Sequence, residues 1–166
     1  KIYIQSHLSS PHNIERLNIN SKIQRDPMFI GNFDTYESLM YAMNANHGLS
    51  HDDRRFYYDP IKNYLLPIYY DGKPKIVEFK ETEESLTHLE NIISLSAKKG
   101  ALSAINLIKN MNDKDMIKIL DGNGFTIKEA QYLLLKKKLL NRLNRINKSS
   151  PNKVEFYPLN NYFNKF

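Results

Sequence analysis

The chain has 166 residues, with 24 Lys and Arg against 18 Asp and Glu, 11 Tyr, 8 Phe, no Trp and no Cys. That length suits one domain with a true hydrophobic core, and 41% hydrophobic with 25% charged residues argues against wholesale disorder. The lack of Cys excludes disulfides, thiolate metal ligands and a thiol nucleophile, and no run approaches the ~20 apolar residues a membrane-spanning helix needs.

The net charge of +6 attracts phosphate-bearing partners at long range. A solvated Lys-rich surface explains the same charge, so charge alone does not make nucleic acid the expected partner. Lys1 to Gln5 read as a strand entered at once, with none of the basic, apolar and small-residue regions of a signal peptide. The chain reads as trimmed or fragmentary.

After polar turn material up to residue 33, Asp34-Thr35-Tyr36-Glu37 has the spacing of a capping box. It predicts a helix over 35–46 with Tyr36, Leu39, Met40 and Met43 on one face and Gly48 as its stop. A hairpin follows over 54–71: the aromatic strand Arg55-Phe56-Tyr57-Tyr58, turn residues 59–63, and a returning strand over 64–70. Pro67 places that second strand at an edge or a bulge. Lys75 to Phe79 reads as a short extended piece.

From Thr82 the periodicity becomes helical. One helix carries Leu86, Leu89, Ile92 and Ile93 to a stop at Gly100, and a second carries Leu102, Ile105 and Ile108. A third is capped by Asn112 or Asp113 and ended by Gly122-Asn123-Gly124. A second capping box, Thr126 with Glu129, opens a long helix to about Asn147. Its stripe of Tyr132, Leu135, Leu139, Leu143 and Ile146 reads as core, with Lys136, Lys137, Lys138, Arg142 and Arg145 on a basic outer face. These readings predict an α+β fold with a single domain over 1–147, and a tail over 148–166 whose late aromatics pack on the body.

Two suggestive motifs fail. Asp121-Gly122-Asn123-Gly124 starts like a calcium loop, but Phe125, Thr126 and Tyr132 fall where an EF-hand needs an oxygen ligand, Gly and Glu. Helices over 113–121 and 126–147 imitate a helix-turn-helix, yet the basic residues come late in the second helix, whereas base-reading residues sit at its start.

The stretch from His47 to Asp71 is richer. His47-Gly48-Leu49-Ser50-His51-Asp52-Asp53 precedes the hairpin, and the hairpin returns its second strand toward its own origin. Asp71 should therefore lie beside Asp52 and Asp53. Clustered carboxylates repel unless a cation joins them, and hard oxygen ligands suit magnesium carrying a nucleotide phosphate. A solvated acidic loop fits the same spacing.

The runs His47-Gly48-Leu49, Asp53-Arg54-Arg55-Phe56-Tyr57-Tyr58-Asp59-Pro60 and Leu66-Pro67-Ile68-Tyr69-Tyr70-Asp71-Gly72 resemble the core signature of the CotH kinase family, atypical protein kinases named after a spore-coat protein. The resemblance is best over 44–72 and is not visible beyond about residue 80. It implies the C-terminal lobe of a kinase-like fold, with ATP- and magnesium-dependent phosphorylation of protein Ser or Thr. By position, Asp71 would hold the metal bridging the ATP phosphates, and Asp53, where the family usually has Asn, would be a second ligand. Where many members carry a catalytic Asp upstream, this chain has Asn46 and His47. Another register takes His51-Asp52-Asp53 as an analogue of the kinase His-x-Asp loop and makes Asp53 the base. A glycine-rich phosphate loop and an assignable strand Lys are missing from the sequence, which fits a chain lacking the N-terminal lobe. The resemblance also implies a secreted, cell-surface or spore-coat setting. The alternative is a non-catalytic binding domain whose basic helical face meets an anionic partner. Asp53 and Asp71 within metal-bridging reach would favour the first reading, and well-separated carboxylates the second.

Overall fold

The computed structural model describes residues 2–5, 27–50, 53–59, 61, 64–78 and 80–150. Three strands, β1 (Ile2–Gln5), β2 (Arg55–Asp59) and β3 (Tyr64–Ile68), form an antiparallel sheet in the order β1-β2-β3. Phe56 stands opposite Ile4 on one side and Pro67 on the other. Pro67 is thus on an edge strand, where a missing N–H costs no ladder bond. The hairpin is where the aromatic run and turn residues put it, and β3 ends at Ile68 rather than Tyr70.

The helices are α1 (Pro27–Ala42), α2 (Glu83–Ile92), α3 (Leu95–Asn110), α4 (Asp113–Gly122) and α5 (Glu129–Lys148). With the small sheet they make an α+β fold. Among the described residues no helix is long and apolar enough to cross a membrane. Of the tail expected over 148–166, Lys148 belongs to α5, and residues 151–166, which carry the late aromatics, lie outside the described residues.

Several boundaries differ from the sequence reading. The first helix opens at Pro27, whose fixed φ and missing N–H suit a first helical turn. Asp34 is therefore mid-helix and buried, not a cap. The helix ends before Gly48. Asn44 adopts a left-handed φ of 54°, and Ala45 N and Asn44 N donate to Met40 O and Tyr41 O at 2.8 and 3.0 Å. That is a Schellman termination with Asn in the glycine position.

Farther on, the chain breaks at Ile93-Ser94, not at Gly100. The Ser94 hydroxyl accepts from Ala97 N at 2.9 Å and starts α3. Gly100 lies inside α3, where an added Cβ would fall 2.0 Å from the Asp34 carbonyl carbon. The glycine is what lets α3 cross α1. Thr126 does not cap α5 but donates to Asp121 Oδ1 at 3.0 Å, and Gln131 Oε1 accepts from Lys128 N at 3.2 Å at the helix start. Gly124, at φ 84°, ends the α4 turn as expected. Residues 76–78 form a turn instead of an extended segment.

The core joins α1, α3 and α5, with Met40, Tyr41, Ala97, Ala101, Ala104, Leu143 and Ile146 fully buried. Small residues on α3 permit the close approach, and Leu89, Ile93 and Leu49 close the ends. The sheet is covered by α1. Phe56 meets Phe33 with ring centroids 6.1 Å apart, and the Tyr36 hydroxyl donates to Ile68 O at 3.3 Å. Burial pushes the Tyr36 phenol up to about 12, ahead of the opposing Arg54 charge.

The basic outer face of α5 is smaller than its periodicity suggested, with Lys137 exposed as expected and Arg142 turned inward. Arg142 is buried, donating from Nε to Ala42 O at 2.6 Å and from Nη2 to Tyr41 O at 3.3 Å. Burial pulls its guanidinium down from its ordinary value against the favourable charge of Glu81. Lys136 pairs with Asp113, Arg145 with Glu83 and Glu90, and Lys138 donates to Ile76 O.

Candidate metal centre

Three segments separated in sequence supply the site. A single 3-10 turn, Asn46–Leu49, carries His47, the loop before β2 carries Asp53, and the exit of β3 carries Asp71. The hairpin does return its second strand to the loop that precedes it. His47 Nε2 lies 3.5 Å from Asp53 Oδ2 and 3.4 Å from Asp71 Oδ2. One ligand atom from each of the three residues lies within 4.8 Å of the others. Asp52 lies outside the described residues.

Glycines make this convergence possible. A Cβ on Gly48 would stand 2.7 Å from Tyr70 O, 2.7 Å from the Met40 methyl carbon and 3.0 Å from Gly72 Cα. The backbones of the His47 turn and the Asp71 turn therefore touch through two residues without side chains. Gly72 lies outside the left-handed region. Asp71 and Lys73 lie inside it, at φ 42° and 48°. Asp tolerates that region, whereas Lys is uncommon there.

The loop bearing Asp53 is anchored from below. Ser50 Oγ donates to Asp53 Oδ2 at 2.6 Å, and Asp53 N and Arg54 N both donate to Ser50 O, at 3.2 and 3.1 Å. The next side chain, Arg54, donates from Nε to Leu49 O at 2.9 Å, lies over the Phe33 ring, and faces Glu37 of α1 at 3.6 Å. Desolvation holds the buried Glu37 carboxyl above its ordinary value despite the Arg54 charge and hydrogen bonds from Ser96 and Ser94. Asp34, one turn earlier, is raised for the same first reason against the Ser96 hydrogen bond and the Lys99 charge.

Lys73 completes the cluster. Its Nζ lies 3.0 Å from His47 Nε2 and 3.4 Å from Asp71 Oδ2. An ammonium has only donors, so in this contact His47 Nε2 is the acceptor and offers its lone pair. A nitrogen lone pair and two carboxylate oxygens thus face one small region, and a cationic group already stands against two of them. No family model, curated protein or solved structure matches the chain. What the site does is argued from its own chemistry.

The donor set fits a divalent cation. Two carboxylate oxygens satisfy what magnesium usually takes from a protein, the rest coming from water and phosphate, and imidazole adds a donor that manganese or zinc would also accept. Sequence reasoning reached His47, Asp53 and Asp71 but missed Lys73, Gly48 and the Glu37–Arg54 support. One signal for the glycines was available: each directly follows a site residue, in His47-Gly48 and Asp71-Gly72.

Proposed function

We propose that the chain carries the metal-binding and proton-accepting part of a CotH-like phosphotransferase, acting on protein Ser or Thr with ATP and magnesium. The observation that supports this reading is the approach of Asp53 and Asp71 to a single point beside His47. Well-separated, solvated carboxylates would have favoured a plain binding domain. On the α5 face that the alternative would use for an anionic partner, Arg142 is buried, Lys136 and Arg145 are paired within the chain, and Lys137 is exposed.

In this reading Asp71 and Asp53 would hold the magnesium, which would supply positive charge against the ATP phosphates and the charge that develops during transfer. Magnesium does not need the imidazole. His47 Nε2, with its lone pair turned into the site, is then the atom that takes the proton from the acceptor hydroxyl. Asp53, kept in place by Ser50 and the Arg54 anchor, orients that imidazole as well as the cation. The hydroxyl loses its proton to His47 as its oxygen bonds to the γ-phosphorus, and the phosphorus–oxygen bond to ADP breaks.

Calorimetry with magnesium and ATP tests the reading on wild type and Asp71→Asn. Asn is the proper replacement, because the left-handed backbone at this position would strain Ala. Wild type should bind the magnesium–ATP complex, and the variant should bind it at least about tenfold more weakly with an unchanged fold. Equal binding by both, or none by wild type, removes the kinase reading.

A further inference from the structure

The candidate site contains a cation of its own. Lys73 Nζ stands 3.0 Å from His47 Nε2 and 3.4 Å from an Asp71 oxygen. This ammonium pairs directly with Asp71, and its charge opposes the repulsion between the clustered carboxylates. Its side chain is 60% exposed, on a flexible stem with open solvent to turn into. The backbone that aims it is unusual: both Asp71 and Lys73 lie in the left-handed region, with Gly72 between them. A Cβ at Gly72 would meet only side-chain atoms, the Tyr69 ring at 2.7 Å and the Met40 methyl carbon at 3.0 Å. Lys73 is therefore directed at the site by the backbone of this turn.

We propose that Lys73 is a built-in counter-ion that competes with free metal for His47 and Asp71 and turns to the phosphates of a metal–nucleotide complex. The inference rests on the metal-centre reading above and deepens it. A divalent ion and an ammonium repel one another at the same acceptors, so bare metal must displace Lys73 with nothing to compensate the lysine. A metal carrying phosphate brings its own anion. The ammonium then leaves Asp71 for phosphate oxygens, to which it makes charge-assisted hydrogen bonds. His47 Nε2 is released at the same moment to take a proton. The site thereby accepts the loaded complex, a metal with two or three phosphates, in preference to the free ion.

Opposite signs make this testable. Free Mn2+ and the magnesium complex of a non-hydrolysable ATP analogue are titrated separately into the full chain, as wild type, Lys73→Gln and Lys73→Arg. Lys73→Gln should bind free Mn2+ about threefold more tightly, the scale of losing one exposed ion pair. It should bind the nucleotide complex about tenfold more weakly, the scale of losing one charged hydrogen bond. Lys73→Arg should retain most of the nucleotide affinity. A loosened fold would weaken both ligands together, so a shift in one direction for both, or in neither, overturns the role of Lys73. In that case wild-type binding with loss in Asp71→Asn leaves the metal centre itself standing. No binding of either ligand by wild type overturns both proposals.

Discussion

At Gly48 the convergence of the site depends on one missing atom. Its added Cβ would meet Tyr70 O, which is backbone and cannot swing aside, as well as the movable tip of Met40. Gly48→Ala should therefore part the His47 and Asp71 turns, with Mn2+ affinity falling and stability dropping by about 1–3 kcal/mol, as overpacking does. Titration together with chemical denaturation measures both. Glu37 and Asp34 make a second, pH-dependent case. Both carboxyls are raised by burial, so the folded chain holds protons that the unfolded chain has released. Their contribution to stability is full below the unfolded carboxylate value and is lost as pH rises through the raised folded value. The variant Asp34→Asn/Glu37→Gln cannot undergo that loss. Its stability relative to wild type should rise as pH climbs above the unfolded carboxylate value of about 4, read from denaturation midpoints at each pH. Unchanged relative stability would show that these groups do not couple to folding. The acidic residues of the site were legible in sequence because a hairpin's return is simple geometry. Lys73 was not, since nothing in residue order indicates a left-handed turn at a lysine.

Among the elements, the aromatic hairpin was the most legible, carried by Phe56, the turn chemistry and Pro67 on its edge strand. Helix boundaries were less so, because local signals compete with tertiary contacts. Asp34 and Glu37 have capping-box spacing, yet they serve as buried partners for the start of α3, where Ser96 donates to Asp34 Oδ1. Gly100 looked like a stop and is instead the crossing point of α1 and α3. This sets up a test of sign. In an isolated helix Gly→Ala gains about 1 kcal/mol of propensity. Here the added Cβ lies 2.0 Å from the Asp34 carbonyl carbon, so Gly100→Ala should lose about 2 kcal/mol or more net. A stabilised variant would contradict the described crossing. Ser94→Ala, which removes the cap of α3, should cost about 1 kcal/mol by the same measurement.

Over the whole molecule, α1 is the central piece: the sheet lies on one side of it, and α3 and α5 pack elsewhere on its surface. Its C-terminal carbonyls end on the buried Arg142 of α5, and the turn that follows delivers His47. Arg142 resembled a surface residue because a 3.6-residue period assigns charges to the outside, and the carbonyls that recruit it inward belong to a helix 100 residues away in sequence. Arg142→Met leaves both carbonyls without that donor and should cost about 3 kcal/mol. The most direct test of the central claim is a crystal structure of the full chain with Mn2+ and a non-hydrolysable ATP analogue, located by anomalous scattering. The account predicts a manganese peak coordinated by Asp53 and Asp71, with nucleotide phosphate on its open side. A manganese peak elsewhere, or none beside these two carboxylates, would contradict it.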